Sequence, residues 1–592
     1  MSALRWILVA TLYATLAQPL HVRAASTQSD ASEELAEVAG RYYEAQAQLD
    51  PLSATFSGDN RFDDQLSITI APEEVKKLFA LYHRVQTELA AIDRARLSYE
   101  DSITYDLLSR ELDVGIGFEK FSDHLLPLDQ MGSVPILLAN FGAGTAEQPL
   151  KTVAHYDAYL NRIARLPQWA DQAIANMREG IRQRIVQPKP IVEALLPQLR
   201  SLGSDIVDNA FFAPIRNLPA SIPEAERQRL TAAYRDEVEQ RIAPSMRKLA
   251  RFVETDYLPA SRQTHGWGAL PNGAEWYRQY VRQMTTMDLS PDEIHAIGLK
   301  EVARIHAELA RVAPLTGYEG DQRGFLPWMR TNERFLPFRS EGQVLDAYRE
   351  VNRKVMLRLP ELFGRLPRAD LEIRPEPDLT KETATDHYTV PTEDGSRPGV
   401  FWTVIKDPAA YNATVITYNF LHEGQPGHHF QMALQLELAI PQFRKRMWIN
   451  PYGEGWALYA ETLGHEMDLY GDPAAHAGQL RGEMVRAVRL VVDTGIHARG
   501  WTREQAMKYL MDYGGSSEVS ARTQIERYMA WPAQALGYKL GSLKIQELRE
   551  RAKLRLGAKF SIKSFHDAVL GEGSLPLSLL DSHIDRWIAT QQ

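Results

Sequence analysis

Apolar residues recur at helical spacing along most of this 592-residue chain, and this periodicity limits the fold more than any other feature. One apolar stripe runs from Val75 to Leu89, with Pro72 near its start, and another runs from Val302 to Val312. Ser290–Glu293 forms a capping box ahead of the second stripe, and Thr502–Gln505 is a similar helix start. These patterns predict a mainly α-helical protein whose apolar stripes form the core.

Sequence typical of β-strands is scarce. The best candidate is Val400–Ile405, which is rich in β-branched and aromatic residues and follows Pro398-Gly399. It is either an edge strand that pairs with an extended substrate or part of a sheet core. The Pro-, Thr- and Asp-rich stretch from about Arg374 to Gly399 is predicted to be a long loop.

The first 24 residues have the pattern of a secretory signal peptide. Arg5 supplies a positive charge, Trp6–Ala17 is an apolar run too short to span a bilayer, and Val22-Arg23-Ala24 fits a signal-peptidase site. An uncleaved N-terminal anchor is the alternative. No later stretch has eighteen uninterrupted apolar residues, so we expect no membrane insertion after cleavage. The prediction is an exported protein, periplasmic or secreted.

A Gly/Pro cluster at Gly266–Gly273 is the best break in the remaining chain. It divides an N-terminal helical region, residues 25–270, from a C-terminal region, residues 271–592, which carries the candidate site described below.

Composition excludes several classes of protein. The net charge is −9 and the charges are interspersed, so no basic patch predicts nucleic-acid binding. The chain contains no cysteine, which excludes disulfides, thiolate metal ligands, cysteine nucleophiles and a lipid-modified N-terminal cysteine. The core alone must stabilise the fold, which this length permits.

Six of the sixteen histidines lie between His422 and His497, about an eighth of the chain. In the usual zinc-peptidase motif, H-E-x-x-H, two histidines four residues apart share one helical face and bind one ion. Here the fourth residue after His422 is Pro426, and the next histidines are His428 and His429. Six residues of unbroken helix rise about 9 Å, too far for two side chains to share an ion.

The Pro426-Gly427 pair offers a way around this difficulty. Proline disfavours helix at the residue before it, and Gly427 can adopt a positive φ. The helix that carries His422 can therefore end, turn sharply and return His428 at the start of the next helix. We favour His428 over His429 as the second ligand, with His429 as the alternative.

A zinc site of this kind needs a third protein ligand. Glu454 and Glu461 lie downstream, seven residues apart and therefore on one helical face. We predict that Glu454 binds the metal and that Glu461 orients a ligand by a hydrogen bond; the reverse assignment stays open. Gly453, Gly455 and Ala457 around Glu454 permit close helix approach, which predicts a buried setting.

Five blocks of the sequence resemble the bacterial family catalogued as domain of unknown function 885. They are His422–His428, Glu454–Glu461, Ser290–His295, Asp493–Trp501 and Pro532–Gly541. The order of His-Glu, His and a downstream Glu is also similar to helical metallopeptidases of the angiotensin-converting-enzyme and thermostable-carboxypeptidase type. That resemblance implies a large helical shell around a deep cleft, with a small β-sheet near the zinc. The departure is the two-residue expansion of H-E-x-x-H.

Peptide hydrolysis at such a site needs a general base and a donor to the oxyanion. Glu423 is the candidate base, because it adjoins His422 and would face the metal. The resemblance implies a phenol as the oxyanion donor and suggests Tyr538, with His497 as the second choice. Asp493 lies four residues before His497, so it either holds that histidine in one tautomer or forms a surface pair with it.

Three further residues are candidates for binding the C-terminal carboxylate of a peptide, as a carboxypeptidase requires: Arg527, Tyr528 and Lys539. The leading hypothesis is therefore an exported zinc metallopeptidase that acts on peptides. The alternatives are a zinc amidase that acts on a cell-wall amide and a non-catalytic protein that binds peptide or metal. The presence of Glu423 argues against the non-catalytic binding protein, because a protein that only binds metal needs no general base.

Overall fold

The computed structural model describes residues 19–143, 148–377, 381 and 384–592, and most of these residues are helical. The predicted signal peptide, residues 1–24, lies largely outside the described residues. Within the described part of the chain, none of the helices combines the length and hydropathy that a membrane span requires.

The first twelve helices lie before the Gly266–Gly273 cluster. In chain order they are α1 (Pro19–Leu49), α2 (Pro51–Phe56), α3 (Pro72–Ala91), α4 (Tyr99–Ile116), α5 (Val134–Gly142), α6 (Val153–Ile163), α7 (Leu166–Gln183), α8 (Lys189–Leu202), α9 (Ala213–Arg216), α10 (Glu224–Glu237), α11 (Ala243–Phe252) and α12 (Leu258–Ala260). Two π-helical segments, Val238–Ile242 and Val253–Tyr257, join the last three of these into one run.

The remaining helices follow that cluster. They are α13 (Gly273–Thr285), α14 (Pro291–Val312), α15 (Gln322–Thr331), α16 (Glu341–Leu362), α17 (Ile416–Glu423), α18 (His428–Glu437), α19 (Gln442–Arg446), α20 (Asn450–Thr462), α21 (Pro473–Arg499), α22 (Arg503–Gly514), α23 (Glu518–Ala530), α24 (Leu536–Leu556), α25 (Ile562–Leu570) and α26 (Leu577–Gln591). The predicted capping boxes are confirmed at Ser290 of α14 and Thr502 of α22. The mainly α-helical fold is thus confirmed.

The chain separates into two compact units. The smaller unit takes in the chain up to Leu49 together with Lys76–Glu119. Its helices α1 and α4 are tied by Glu111, which accepts hydrogen bonds from Tyr42 at 2.8 Å and Tyr43 at 2.9 Å. A buried carboxylate needs such donors, so this pair fixes the register of the two helices.

Hydrophobic clusters form the core of the larger unit, Asp50–Val75 and Lys120–Gln592, and two of them are defined by the described residues. One draws its buried residues from positions 52–257, and the other from positions 302–535 together with Ile191. The Gly266–Gly273 segment lies between them in sequence and packs on the end of α21. A Cβ atom on Gly266 would lie only 1.9 Å from the carbonyl oxygen of Ile496. The predicted break therefore falls inside this unit.

One three-stranded sheet lies among these helices, with the order β1-β3-β2. Its strands are β1 (Leu371–Pro375), β2 (His387–Thr389) and β3 (Gly399–Thr403), and β3 pairs parallel to β1 and antiparallel to β2. The predicted strand is thus the central one, so the edge-strand hypothesis is wrong and the sheet-core interpretation holds. The expected loop from Arg374 to Gly399 contains β2. The sequence missed it because a three-residue strand has no readable alternation.

Candidate metal centre

The turn between α17 and α18 follows the predicted path with one difference. The first helix ends at Glu423, the second begins at His428, and the Gln425–Pro426 peptide bond between them is cis. The expected positive φ at Gly427 is wrong, since its φ is −77°. A Cβ atom there would lie 2.0 Å from the carbonyl oxygen of His422. Glycine is therefore required for close backbone approach and not for a left-handed conformation.

Helix α20 holds this turn in place. The indole nitrogen of buried Trp456 donates a hydrogen bond to the carbonyl oxygen of Pro426 at 2.8 Å. Trp456 belongs to the same helix as Glu454 and Glu461. One rigid element therefore positions both the histidine-bearing turn and the two acidic side chains.

Three side chains converge at this turn. Oε2 of Glu454 lies 3.5 Å from Nε2 of His422 and 3.5 Å from Nε2 of His428. The two imidazole rings are 4.8 Å apart and nearly perpendicular. Donors that surround a tetrahedral zinc ion at about 2.0–2.1 Å lie about 3.3–3.4 Å from one another, so the spacing fits such an ion.

The hydrogen bonds around these atoms also indicate a cation. Nδ1 of His422 is 2.9 Å from Oε1 of Glu461, which accepts its proton, so Nε2 is the nitrogen available to a metal. Oε2 of Glu454 is buried and has no hydrogen-bond partner of normal length among the described residues. Such facing atoms need a positive charge between them, supplied either by a proton on Nε2 or by a metal ion.

The electric field of the site favours positive charge as well. Burial works against protonation of His422, but Glu454 and Glu461 outweigh it and raise the pKa of His422. Burial likewise opposes ionisation of Glu454, yet the two histidines outweigh it and hold the pKa of Glu454 well below its ordinary value. The site therefore stabilises an ionised carboxylate beside a cationic centre.

Glu423 belongs to the same cluster. One ligand atom from each of His422, Glu423 and His428 lies within 4.8 Å of the others. Burial raises the pKa of Glu423 to about 8; His428 opposes this rise, whereas Glu454 adds to it. Either carboxylate could be the third ligand on this ground. We favour Glu454, because a single oxygen atom lies at ligand spacing from both imidazoles, which leaves Glu423 free to move a proton.

The predicted roles of Glu454 and Glu461 thus correspond to different faces of His422. Glu454 faces Nε2, whereas the fully buried Glu461 accepts a hydrogen bond from Nδ1 and lies 3.6 Å from Arg486. Removal of such an orienting carboxylate typically weakens metal binding about 10–100-fold.

We therefore expect Glu461→Ala to weaken zinc binding by about 10–100-fold. Glu461→Gln should weaken it less, because the amide oxygen still accepts the Nδ1 proton of His422. Competition with a chromophoric chelator measures both affinities. Equal affinities in wild type and Glu461→Ala would show that Glu461 does not orient the ligand.

Close packing of α20 against α24 accounts for the buried setting of Glu454, as the small residues around it predict. A Cβ atom on Gly455 would lie 2.5 Å from the Cα of Gly541, and one on Gly541 would lie 1.8 Å from the carbonyl oxygen of Pro451. These obstacles are backbone atoms, which cannot move aside without shifting a helix.

We expect Gly541→Ala to lower the free energy of unfolding by about 1–3 kcal/mol or more, because the added methyl group forces the helices apart. In an open helix, Gly→Ala is stabilising by up to about 1 kcal/mol. A methyl group on Gly342 of α16 would meet nothing outside its own helix backbone within 4 Å, so Gly342→Ala is the matched control. Urea denaturation of both variants tests the difference in sign, and equal stabilities would contradict the packing argument.

A known bacterial family covers most of this sequence, including every residue of the centre. The family model for bacterial proteins of unknown function, DUF885, matches residues 51–584. The chain belongs to the DUF885 family. No functionally curated protein matches it.

Two solved structures resemble this DUF885 protein over nearly its whole length. One, from Colwellia psychrerythraea, is 28% identical, covers 95% of this chain and 99% of its own, and has a TM-score of 0.84. The other, from Shewanella oneidensis, is 18% identical, covers 93% and 99%, has a TM-score of 0.72, and shows the fold alone. Both are described as a "putative lipoprotein", the second as one of unknown function.

Some of the other predicted residues of the DUF885 chain lie beside the centre. Burial raises the pKa of Tyr538, and the negative charge of Glu454 adds to the rise. The phenol therefore interacts electrostatically with the proposed metal ligand Glu454. Arg527 lies against the Tyr538 hydroxyl, and Tyr528 accepts a hydrogen bond from Arg489 at 2.9 Å. Tyr538 is thus the predicted residue that Glu454 influences, and Arg489 and Arg527 both lie beside it.

Two predicted residues have structural roles instead. His497 accepts a hydrogen bond from the amide of Trp267 on Nδ1 and donates one from Nε2 to the carbonyl oxygen of Tyr528. It has no nitrogen left for an oxyanion. Asp493 accepts from Tyr277 at 2.6 Å and from the amide of Ala533, and it makes no hydrogen bond to His497. Both residues are buried, so the surface-pair interpretation is wrong too.

Lys539 does not bind a substrate carboxylate. Its ammonium group is fully buried, 2.6 Å from Glu483 and 3.0 Å from Glu301, and Arg304 contacts the same two carboxylates. This group of four charges joins α14, α21 and α24. Sequence could not reveal it, because the four residues come from three separate helices.

His429, the alternative ligand, faces away from the centre. Its Nδ1 atom lies 2.9 Å from the hydroxyl of Tyr388 on β2, and its ring packs against Gly399 of β3. The small sheet therefore lies next to the metal ligands, as the resemblance implied, and binds the neighbouring histidine.

Proposed function

We propose that this DUF885 protein is an exported, zinc-dependent peptidase. The observation that carries the proposal is the approach of one Glu454 oxygen to Nε2 of both His422 and His428 at 3.5 Å, with Glu423 in the same cluster. Two imidazoles and one carboxylate are a donor set that suits zinc, and three protein ligands leave a position for water or substrate.

Each residue of the site has a separate role in the proposed hydrolysis. Zinc would be the Lewis acid that polarises the scissile carbonyl and lowers the pKa of the attacking water. A carboxylate oxygen of Glu423 takes a proton from the attacking water and returns it to the leaving amine. Glu461 keeps the proton of His422 on Nδ1, so that Nε2 stays available. The Tyr538 hydroxyl, held in a buried setting, donates to the developing oxyanion.

Metal removal tests this proposal. A chelator should abolish hydrolysis of unstructured peptides by the purified protein, and zinc should restore it, because the proposed mechanism needs the metal to acidify the attacking water and polarise the carbonyl. Cell-wall fragments form a second substrate panel. Cleavage of the fragments alone would indicate an amidase, and tight zinc binding without cleavage of either panel would indicate a binding protein.

The export proposal has separate support. The N-terminal sequence has the pattern of a signal peptide, and both structural neighbours are described in terms that imply export. Cell fractionation of the full-length chain tests it, and a mature protein recovered outside the cytoplasm that begins near Ala25 is the expected result.

A further inference from the structure

Two arginines near the candidate centre form no close ion pair with a carboxylate among the described residues. Arg489 of α21 and Arg527 of α23 are only partly exposed, and neither lies within 4.0 Å of an acidic group in the described residues. Nη1 of Arg489 and Nε of Arg527 are buried and have no hydrogen-bond partner among those residues. Some other buried cations in this unit are paired with carboxylates, as Lys539 is with Glu483 and Arg444 with Glu572.

Neutral groups fix the orientation of both side chains. Nε of Arg489 donates to the Tyr528 hydroxyl at 2.9 Å, and its guanidinium carbon lies 4.5 Å from the centre of the Tyr538 ring. Nη2 of Arg527 donates to Oε1 of Gln534 at 2.8 Å. These partners hold the guanidinium groups in place without cancelling their charge, which is the condition for a preorganised anion site.

Contacts link the two arginines to Tyr538 and to helix α20, which carries Glu454. Gln534, which holds Arg527, also donates to Oδ1 of Asn450 at 3.1 Å. Asn450 begins α20 and lies one helical turn before Glu454, so the two share a face about 6 Å apart. Tyr538, the proposed oxyanion donor, stacks under Arg489. A ligand that contacts both arginines would therefore lie beside Tyr538, on the side of α20 that carries Asn450.

We propose that Arg489 and Arg527 bind a carboxylate group of the substrate. This inference rests on the proposed peptidase function and narrows its substrates to peptides that carry an anionic group near the cleaved bond. Guanidinium groups donate charge-assisted hydrogen bonds to carboxylates, and the unpartnered Nη1 of Arg489 and Nε of Arg527 supply one such donor each. The carboxylate comes either from the C-terminus of the peptide or from an acidic side chain.

Binding measurements on the Glu423→Gln protein loaded with zinc test the inference without turnover. The probes are three short N-acetylated peptides: one with uncharged side chains and a free C-terminal carboxylate, its C-terminal amide, and that amide with one internal Glu. Calorimetry should show the free acid, the internal-Glu peptide or both binding at least about 10-fold tighter than the neutral amide, because a charged hydrogen bond is worth about that factor. Whichever peptide binds tightly identifies the source of the carboxylate. Equal affinity for all three peptides would overturn the inference, and this result can be obtained without an arginine variant.

Arginine variants then locate the site. Each arginine is replaced in the Glu423→Gln protein. Arg489→Gln and Arg527→Gln should lower the affinity for the carboxylate peptide that bound most tightly by about 10–100-fold, and leave the affinity for the neutral amide unchanged. Arg499→Gln is the control, because Arg499 lies on the same helix but forms an exposed pair with Asp292. An equal loss of affinity for the carboxylate peptide and for the neutral amide would show that the arginines do not recognise the carboxylate.

Hydrolysis by wild type separates the two proposals. Selective binding of a carboxylate peptide without cleavage of any peptide would support the proposed arginine site and contradict the proposed peptidase function. Cleavage of all three peptides at equal rates, with equal affinities, would retain the peptidase and refute the arginine site.

Discussion

Glu423→Gln should lower peptide hydrolysis by about 10²–10⁴-fold while the protein still binds one zinc ion per chain. The amide is nearly the same size as the carboxylate but cannot accept and return a proton, and general-base catalysis typically contributes a factor of that order. Zinc should remain because His422, His428 and Glu454 are intact. Steady-state rates and metal analysis of the same preparation measure both quantities.

The control for this variant is Glu518→Gln, which removes an exposed carboxylate from α23. It should leave hydrolysis and metal content unchanged. Full activity in Glu423→Gln would remove Glu423 from the mechanism. Loss of zinc together with activity would instead make Glu423 a metal ligand, a role that its place in the His422–His428 cluster permits.

His428→Ala should weaken zinc binding by about 10²–10³-fold and abolish hydrolysis at limiting zinc. Four ligands of a zinc site share a binding free energy of about 10–16 kcal/mol, so one ligand accounts for about 3 kcal/mol. Chelator competition gives the affinity. The neighbouring residue is a matched control, because His429 is also buried but contacts Tyr388.

His429→Ala should therefore lower stability but leave zinc affinity unchanged, since its ring faces the sheet. A strong effect of His429→Ala on zinc affinity, with none from His428→Ala, would reverse the assignment of the ligand. Comparison of the two variants also controls for loss of a buried imidazole in general.

Local rules predicted the parts of the site that depend on local sequence. The end of one helix before Pro426 and the start of the next at His428 follow from the conformational limits of the residue before proline. Close helix contact at Gly455 follows from its lack of a side chain. The reason for glycine at position 427 was wrong, because both a positive φ and a close approach select the same residue.

Contacts between distant segments were not predictable in this way. Lys539 and His497 were reasonable candidates by position, but their partners, Glu483 and Trp267, are 56 and 230 residues away. Arg489 was missed, although the sequence holds a signal for it. Charged residues at 483, 486, 489 and 493 recur at three- and four-residue spacing beside the apolar residues of this helix, which indicates a polar stripe inside the protein.

Crystals grown with zinc and measured at the zinc absorption edge would test the metal centre most directly. The expected result is one anomalous peak within about 2.0–2.2 Å of Nε2 of His422, Nε2 of His428 and a carboxylate oxygen of Glu454. Absence of a peak at this turn in zinc-soaked crystals, or a peak that His422 and His428 do not share, would contradict the account.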